Sequence, residues 1–372
     1  MNILFITDLY PIKNSEKTTP KTLLNFVQEW EKAGHKVDVI KPNFIFNSFL
    51  RNKPYYKTGK YENIFNINYW TPFWFNIKNK LFQADKFGKL AQYKKEKFYD
   101  IVIAHMPSGI LFADKLGLPF VAGIHNSDIE VLTKPLYKFH FKKRLENALK
   151  NAKAIACRSF VLRDKLLKLY PEFEEKTFVA PSGIDEKFII KTPVTNRFGH
   201  YTNEPLKVLT CANFKKRKNI DKVIKACKGL KSFDLTVIGD GNERKNLEKL
   251  DKNVKFTGRL SNEDVLNKMR ESDVFILPSV GETFGMVYLE AMASGCIVVC
   301  TKDDGIDGII KNNENGFLTL PNSENVKETL LNIKNLQAEK LKALHINSFS
   351  TIKNYTSALC AERYLQQILK IM

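Results

Sequence analysis

Short apolar runs alternate with amphipathic stretches through the first half of the chain. Runs at residues 2–7, 37–41, 64–68, 101–105, 120–125, 154–157 and 177–180 predict strands, and the intervals between them suit crossover helices. In the first interval, Leu23, Leu24, Phe26, Val27 and Trp30 recur at helical spacing until Gly34 ends the pattern. A polar stretch with two prolines and no periodicity follows over 188–205 and reads as a linker. The pattern then restarts, with strands expected at 206–211, 235–238, 255–257, 274–277, 297–300 and 316–319. Strands alternating with helices, twice over, predict an α/β protein of two doubly wound parallel sheets. The expected division is 1–187, a linker 188–205, 206–348, and a final helical stretch, 349–372.

The densest signal is Asp273 to Gly295. Val274 to Leu277 is an apolar run stopped by Pro278, as a buried parallel strand would be. Ser279 to Gly285 holds two glycines and a carboxylate and predicts a loop. From Met286 the positions of Val287, Leu289, Ala291 and Met292 suit a helix, closed by Gly295. Strand, tight loop and helix in that order aim backbone N–H groups at whatever lies beyond the strand's carboxyl end, which suits an anion. Two acids, Glu282 and Glu290, lie in this stretch. Periodicity alone leaves two readings open. In one, a carboxylate faces a reacting sugar and the other a ribose; in the other, Glu282 caps a helix and Glu290 is solvated.

The residues Pro278-Ser279, Glu282-Thr283-Phe284-Gly285 and Glu290-Ala291-Met292-Ala293-Ser294-Gly295 resemble the family 4 glycosyltransferases, with their E-x-F-G-x4-E signature. The resemblance implies a GT-B fold, two Rossmann-like domains facing across a cleft. It also implies a retaining transfer of sugar from a nucleotide-diphosphate sugar, with a UDP-sugar the expected donor, to a saccharide or lipid-linked acceptor in cell-surface glycan synthesis. In that scheme Thr283, Phe284, Gly285 and Met286 bind the diphosphate through the helix start, Glu290 the ribose, and Glu282 the sugar.

Other segments fall in the family's order. The family form G-R-L-x3-K-G puts Lys218 on the lysine that clamps the diphosphate, but Asn213 stands where the arginine belongs. Lys216 or Arg217 is left to supply that charge. Gly239-Asp240-Gly241 after a strand resembles a nucleotide turn, and Thr257-Gly258-Arg259-Leu260 the segment lining the base, so Arg259 joins the candidates. His125 ends the strand 120–125. A lone histidine there is more often structural, whereas the resemblance assigns it to the donor sugar; His105 is the weaker candidate. Ser182-Gly183-Ile184-Asp185 resembles the turn closing the first domain. The loop 8–21 lacks the glycines usual in the family and offers Tyr10, Pro11, Thr18 and Thr19 instead, with the threonine hydroxyls expected to take that part. The final helix is expected to return to the first domain.

Charge changes the picture. The net +19 is concentrated in residues 1–180, with 30 Lys and Arg against 17 Asp and Glu, so an anionic partner should meet that half. Within 44–99, 17 aromatic residues accompany a basic excess, including Asn68 to Phe75 and a basic helix expected over 78–97. This segment is either the first domain's core under a solvated lysine face or a patch for an anionic membrane surface. Six cysteines without C-x-x-C read as structural thiols, and the absence of a D-x-D pair predicts no metal and no cofactor. No nucleic-acid motif accompanies the charge, so nucleic acid is not an expected partner. The opening residues read as a strand rather than a signal peptide, predicting a cytoplasmic protein, free or peripheral on the inner face of the membrane. Competing readings are a GT-B sugar-nucleotide epimerase or phosphorylase and a non-catalytic nucleotide-sugar or glycan-binding partner.

Overall fold

Among the described residues, fourteen strands form two sheets. The computed structural model describes residues 1–13, 21–44, 56–57, 59–69, 98–137, 141–194 and 204–371. The aromatic run 70–75, the basic helix expected over 78–97, Thr18 and Thr19 lie outside them. By the density of their contacts the residues divide into two units. The first takes in Met1–Arg158, Leu162–Ser182 and the tail from Cys360; the second takes in Ser159–Val161 and Gly183–Leu359.

In the first unit, β1 (Asn2–Ile6) owes its central place to Ile3, Leu4, Phe5 and Ile6, all buried. Around it run β2 (Lys36–Phe44), β3 (Gly59–Tyr61), β4 (Ile64–Tyr69), β5 (Ile101–His105), β6 (Phe120–Ile124), β7 (Ala154–Cys157) and β8 (Thr177–Val179), in the order β3-β4-β2-β1-β5-β6-β7-β8. Every pairing is parallel except β3 with β4. The pattern predicts β4 but not β3, which is three residues long with none of them buried. Helix α1 (Thr22–Lys32) buries Leu23, Leu24, Phe26, Val27 and Trp30, the five residues whose spacing predicted it. Its Trp30 indole N–H donates to the Ala361 carbonyl at 2.9 Å and so ties the tail into this core.

The second unit contains β9 (Leu206–Cys211), β10 (Phe233–Ile238), β11 (Lys255–Gly258), β12 (Val274–Leu277), β13 (Ile297–Thr301) and β14 (Phe317–Thr319). They are all parallel, in the order β11-β10-β9-β12-β13-β14. The order reverses direction between β9 and β12, where a doubly wound sheet opens a crevice at its carboxyl edge. Helix α2 (Met286–Ala293) leaves that edge directly after β12.

One expectation is corrected. The stretch 349–371 is not one helix but the end of Ala338–Lys353 followed by Ser357–Ile371. The break has a physical cause. The Ile184 N–H donates to the Tyr355 carbonyl at 2.9 Å, and the Ser357 N–H donates to the Ile184 carbonyl at 2.8 Å. These bonds take backbone groups that a continuous helix would pair internally. Gly183 lets the strand come this close, since a Cβ there would lie 2.2 Å from the Thr356 carbonyl oxygen. No described helix is long and apolar enough to cross a membrane.

Gly239 follows β10 with φ of +129°, and a Cβ added there would lie 1.9 Å from the Ala212 carbonyl oxygen. Gly239→Ala is therefore expected to cost at least about 2 kcal/mol, combining backbone strain with a clash against main chain. Urea unfolding checks this, and an unchanged midpoint would contradict the packing described.

Candidate functional site

The loop between β12 and α2 is built by hydrogen bonds from its neighbours. The Asp304 carboxylate accepts the N–H groups of Gly281 and Glu282, at 2.7 and 2.8 Å. The Thr301 hydroxyl donates to the Ser279 carbonyl at 2.7 Å, and the buried Tyr288 hydroxyl donates to the Leu277 carbonyl at 2.7 Å. Gly285 then turns the chain into α2 with φ of +95°, where a Cβ would meet the Tyr288 ring at 2.5 Å. Buried Phe284 anchors the turn in the core. Among the described residues, no protein group accepts the N–H of Phe284, Gly285 or Met286. Open donors at a helix start carry partial positive charge and suit an anion.

The loop after β9 brings cations to the same place. A short turn, Lys216–Lys218, is held against the β12 loop by two bonds: the Val280 N–H to the Arg217 carbonyl at 2.8 Å, and the Asn219 amide to the Pro278 carbonyl at 2.8 Å. Lys218 pairs with Glu282, and the Arg217 guanidinium lies 3.0 Å from the same carboxylate oxygen. Lys218 and Glu282 keep only 14% and 12% of their side-chain surface exposed, whereas Arg217 keeps 46%. So Arg217, rather than Lys216, is the basic residue beside Lys218. Asn213 is exposed.

The two acids have different environments. Burial works to raise the Glu282 pKa, but the charge and hydrogen bond of Lys218, helped by Arg217, outweigh it and leave the carboxyl below its ordinary 4.5. Glu290, on α2, accepts from no side chain among the described residues, and burial pushes its pKa up. Glu282 is therefore held as a carboxylate, while Glu290 carries an unrelieved desolvation cost.

The remaining candidates are more dispersed. Thr283 is half-buried beside Glu282. Asp240 is half-buried, and its carbonyl accepts the Phe214 N–H at 2.9 Å. The close approach at Gly239 is made by Ala212 of the neighbouring loop. Arg259 is exposed just beyond β11. His125, in the first unit, is buried at the end of β6, its Nε2 3.0 Å from His105 Nδ1. Asp304, in a segment Asp304 to Asp307 that falls in the family's order, is the residue to which the sequence assigned no role. Its local signal was an Asp-Gly turn beyond an apolar strand, and nothing in that turn reveals which backbone it will hold.

Two α/β units, the second carrying an anion-suited loop at its carboxyl edge, fit a glycosyltransferase of the GT-B type, and the family matches make the chain one. Residues 195–351 match the glycosyl transferases group 1, and residues 20–188 match glycosyltransferase family 4. The chain belongs to this family. The putative teichuronic acid biosynthesis glycosyltransferase TuaC of Bacillus subtilis is 26% identical over 364 residues, which is 91% of this chain and 91% of TuaC. The alpha-monoglucosyldiacylglycerol synthase of Acholeplasma laidlawii is 26% identical over 294 residues, covering 70% of this chain and 73% of the synthase. The crystal structure of Anabaena Alr3699/HepE in complex with UDP has a TM-score of 0.70 at 17% identity, covering 100% of both chains, which shows the shared fold.

Two stability effects follow from the carboxylates. A lowered folded pKa means that Glu282 stabilises the protein above 4.5 and loses this as pH falls through its folded value. Glu282→Gln should cost about 1.5–3 kcal/mol at pH 7, the usual range for a charge-assisted hydrogen bond, with the difference shrinking in acid. Denaturant titration at a series of pH values measures it. Glu290 has the opposite sign: its raised pKa lowers stability as pH climbs past 4.5. Glu290→Gln should therefore stabilise the fold at pH 7 by about 1 kcal/mol. A destabilised Gln variant would contradict the desolvation account.

Proposed function

We propose that the enzyme transfers a sugar, with retention of configuration, from a nucleotide-diphosphate sugar to a saccharide or lipid-linked saccharide in cell-surface glycan assembly. The observation that carries this reading is the convergence of Lys218, Arg217 and the open N–H groups of Phe284, Gly285 and Met286 on one loop. A diphosphate needs positive charge and donors together, because a desolvated phosphate without partners is costly. Lys218 would exchange its Glu282 partner for the diphosphate, and Glu282 would then accept from the donor sugar's hydroxyls. Thr283 adds a hydroxyl beside it. Glu290 would accept from the two ribose hydroxyls, a role consistent with its lack of a protein donor. Gly239, Asp240 and Arg259 are assigned to the nucleotide's far end, and His125 to the sugar.

Glu282 is not assigned as a nucleophile. The departing diphosphate would take the acceptor's proton on the face it leaves, so catalysis rests on positioning and on stabilising the leaving charge. With no D-x-D pair in the sequence, that charge is assigned to Lys218, Arg217 and the helix start rather than to a metal. UDP is the favoured nucleotide, supported by the UDP-bound fold relative. The acceptor class is supported by two relatives, one ascribed to teichuronic acid and one a glucosyldiacylglycerol synthase. Action at the membrane surface through 44–99 remains part of the proposal.

A thermal-shift panel of UDP-, GDP- and ADP-sugars tests the donor site, since a ligand at 100 times its Kd adds about 2.7 kcal/mol. One sugar nucleotide should raise the melting temperature, and Lys218→Ala should abolish the rise. No response to any of them would overturn the reading. Transfer activity should survive EDTA; its abolition would reject the metal-free assignment.

A further inference from the structure

The second unit carries another cleft, along the outer edge of its sheet. β14 is the edge strand there, and the helix Ser323–Lys334 packs against it. Between these two elements and the turn at Asn312 and Asn313 lies a cavity of about 280 Å3. No residue of the donor loop lines it. The step between the two places is short, however. Thr301 holds the Ser279 carbonyl of that loop through its hydroxyl, and the next residue, Lys302, lines the cleft.

An unpaired strand edge invites another strand. Here the chain closes its own edge, because the Leu318 N–H donates to the Asn312 side-chain oxygen at 3.0 Å. The Asn312 amide nitrogen is left without a protein acceptor among the described residues. The side chains of Asn313, Asn332, Glu328 and Lys302 also have no protein partner among them. Glu328 and Lys302 line one cavity and yet form no ion pair. A solvated asparagine is ordinary on a convex surface. In this cleft five unpaired polar side chains share a concavity with Leu320, which keeps 49% of its surface exposed.

The composition selects a class of ligand. One ammonium set against one carboxylate leaves no net charge to hold a phosphate, and a single carboxylate does not make a metal site. A neutral polyol matches better. Each of its hydroxyls both donates and accepts, as each carboxamide does. Leu320 offers an apolar side to the C–H face of a sugar ring. The volume falls just below the roughly 300–1,000 Å3 of sites for drug-sized ligands, which suits one ring rather than an extended chain.

We propose that this cleft is a second saccharide site, taking one neutral sugar residue of the glycan on which the enzyme acts. That the sugar belongs to such a glycan rests on the function proposed above; the binding of a sugar here does not. A residue held there keeps the glycan beside the donor loop between transfers.

Saturation-transfer difference NMR on the whole chain tests the site, with the methyl α-glycosides of glucose, galactose and mannose as millimolar probes. At least one should receive saturation and keep it when UDP is added in excess. Glu328→Ala and Asn332→Ala, both at exposed helix positions, should each weaken that binding about tenfold, as the loss of one hydrogen bond would. Neither should change the melting temperature or its rise with UDP. Saturation of none of the probes, saturation abolished by UDP, or saturation indifferent to both substitutions overturns the proposal. A response to UDP without a glycoside signal rejects this site and leaves the donor site standing. A glycoside signal that meets these criteria without a response to UDP supports this site and rejects the donor reading.

Discussion

One carboxylate gives the candidate donor loop its shape. Asp304, just beyond β13, accepts from two successive backbone N–H groups, Gly281 and Glu282. Those two bonds fold the residues after β12 back over the strand ends, so that the Glu282 side chain meets Lys218. Outside this clasp the loop is held by Thr301 on the Ser279 carbonyl, by Arg217 and Asn219 at Val280 and Pro278, and by buried Phe284. The entry into α2, and so the direction of its open N–H groups, is set a few residues on by Gly285 and the buried Tyr288. The acidic group that shapes the site touches only backbone, whereas the acidic groups that would meet substrate are Glu282 and Glu290.

Stability and function pull differently on the residues involved. Lys218 and Glu282 satisfy one another in a poorly hydrated place, where either alone would be expensive to bury. Glu290 has no such relief, a cost that a ribose with two hydroxyl donors would offset. The first unit solves the matching problem for histidine by burial and the nearby Arg158 guanidinium, which hold His105 and His125 neutral. Both devices use ordinary packing to decide protonation before any substrate arrives.

The fold was legible wherever a strand is buried on both faces. Val274 to Leu277 and Ile101 to His105 announce themselves as continuous apolar runs, and Trp30 and its neighbours mark α1 by spacing. The three-residue β3 has no face to display. The break at 354–356 comes from pairing with Ile184, some 170 residues earlier in the chain, and no local pattern can carry that. The site divides the same way. Glu282, Phe284, Gly285 and Glu290 sit in one unbroken stretch and could be read together. Asp304 contributes only through contact across the sheet edge. Lys216 and Arg217 could not be separated in sequence, since the choice between them depends on which one the short turn aims at Glu282.

The clasp is tested most directly by titrating UDP calorimetrically into the native protein and into Asp304→Asn. Loss of the carboxylate's charge should loosen the loop and weaken binding at least about tenfold, while melting temperature changes by only a few degrees. Equal affinity in the two proteins would mean that the donor loop does not depend on Asp304, and the account of the site built on it would fail.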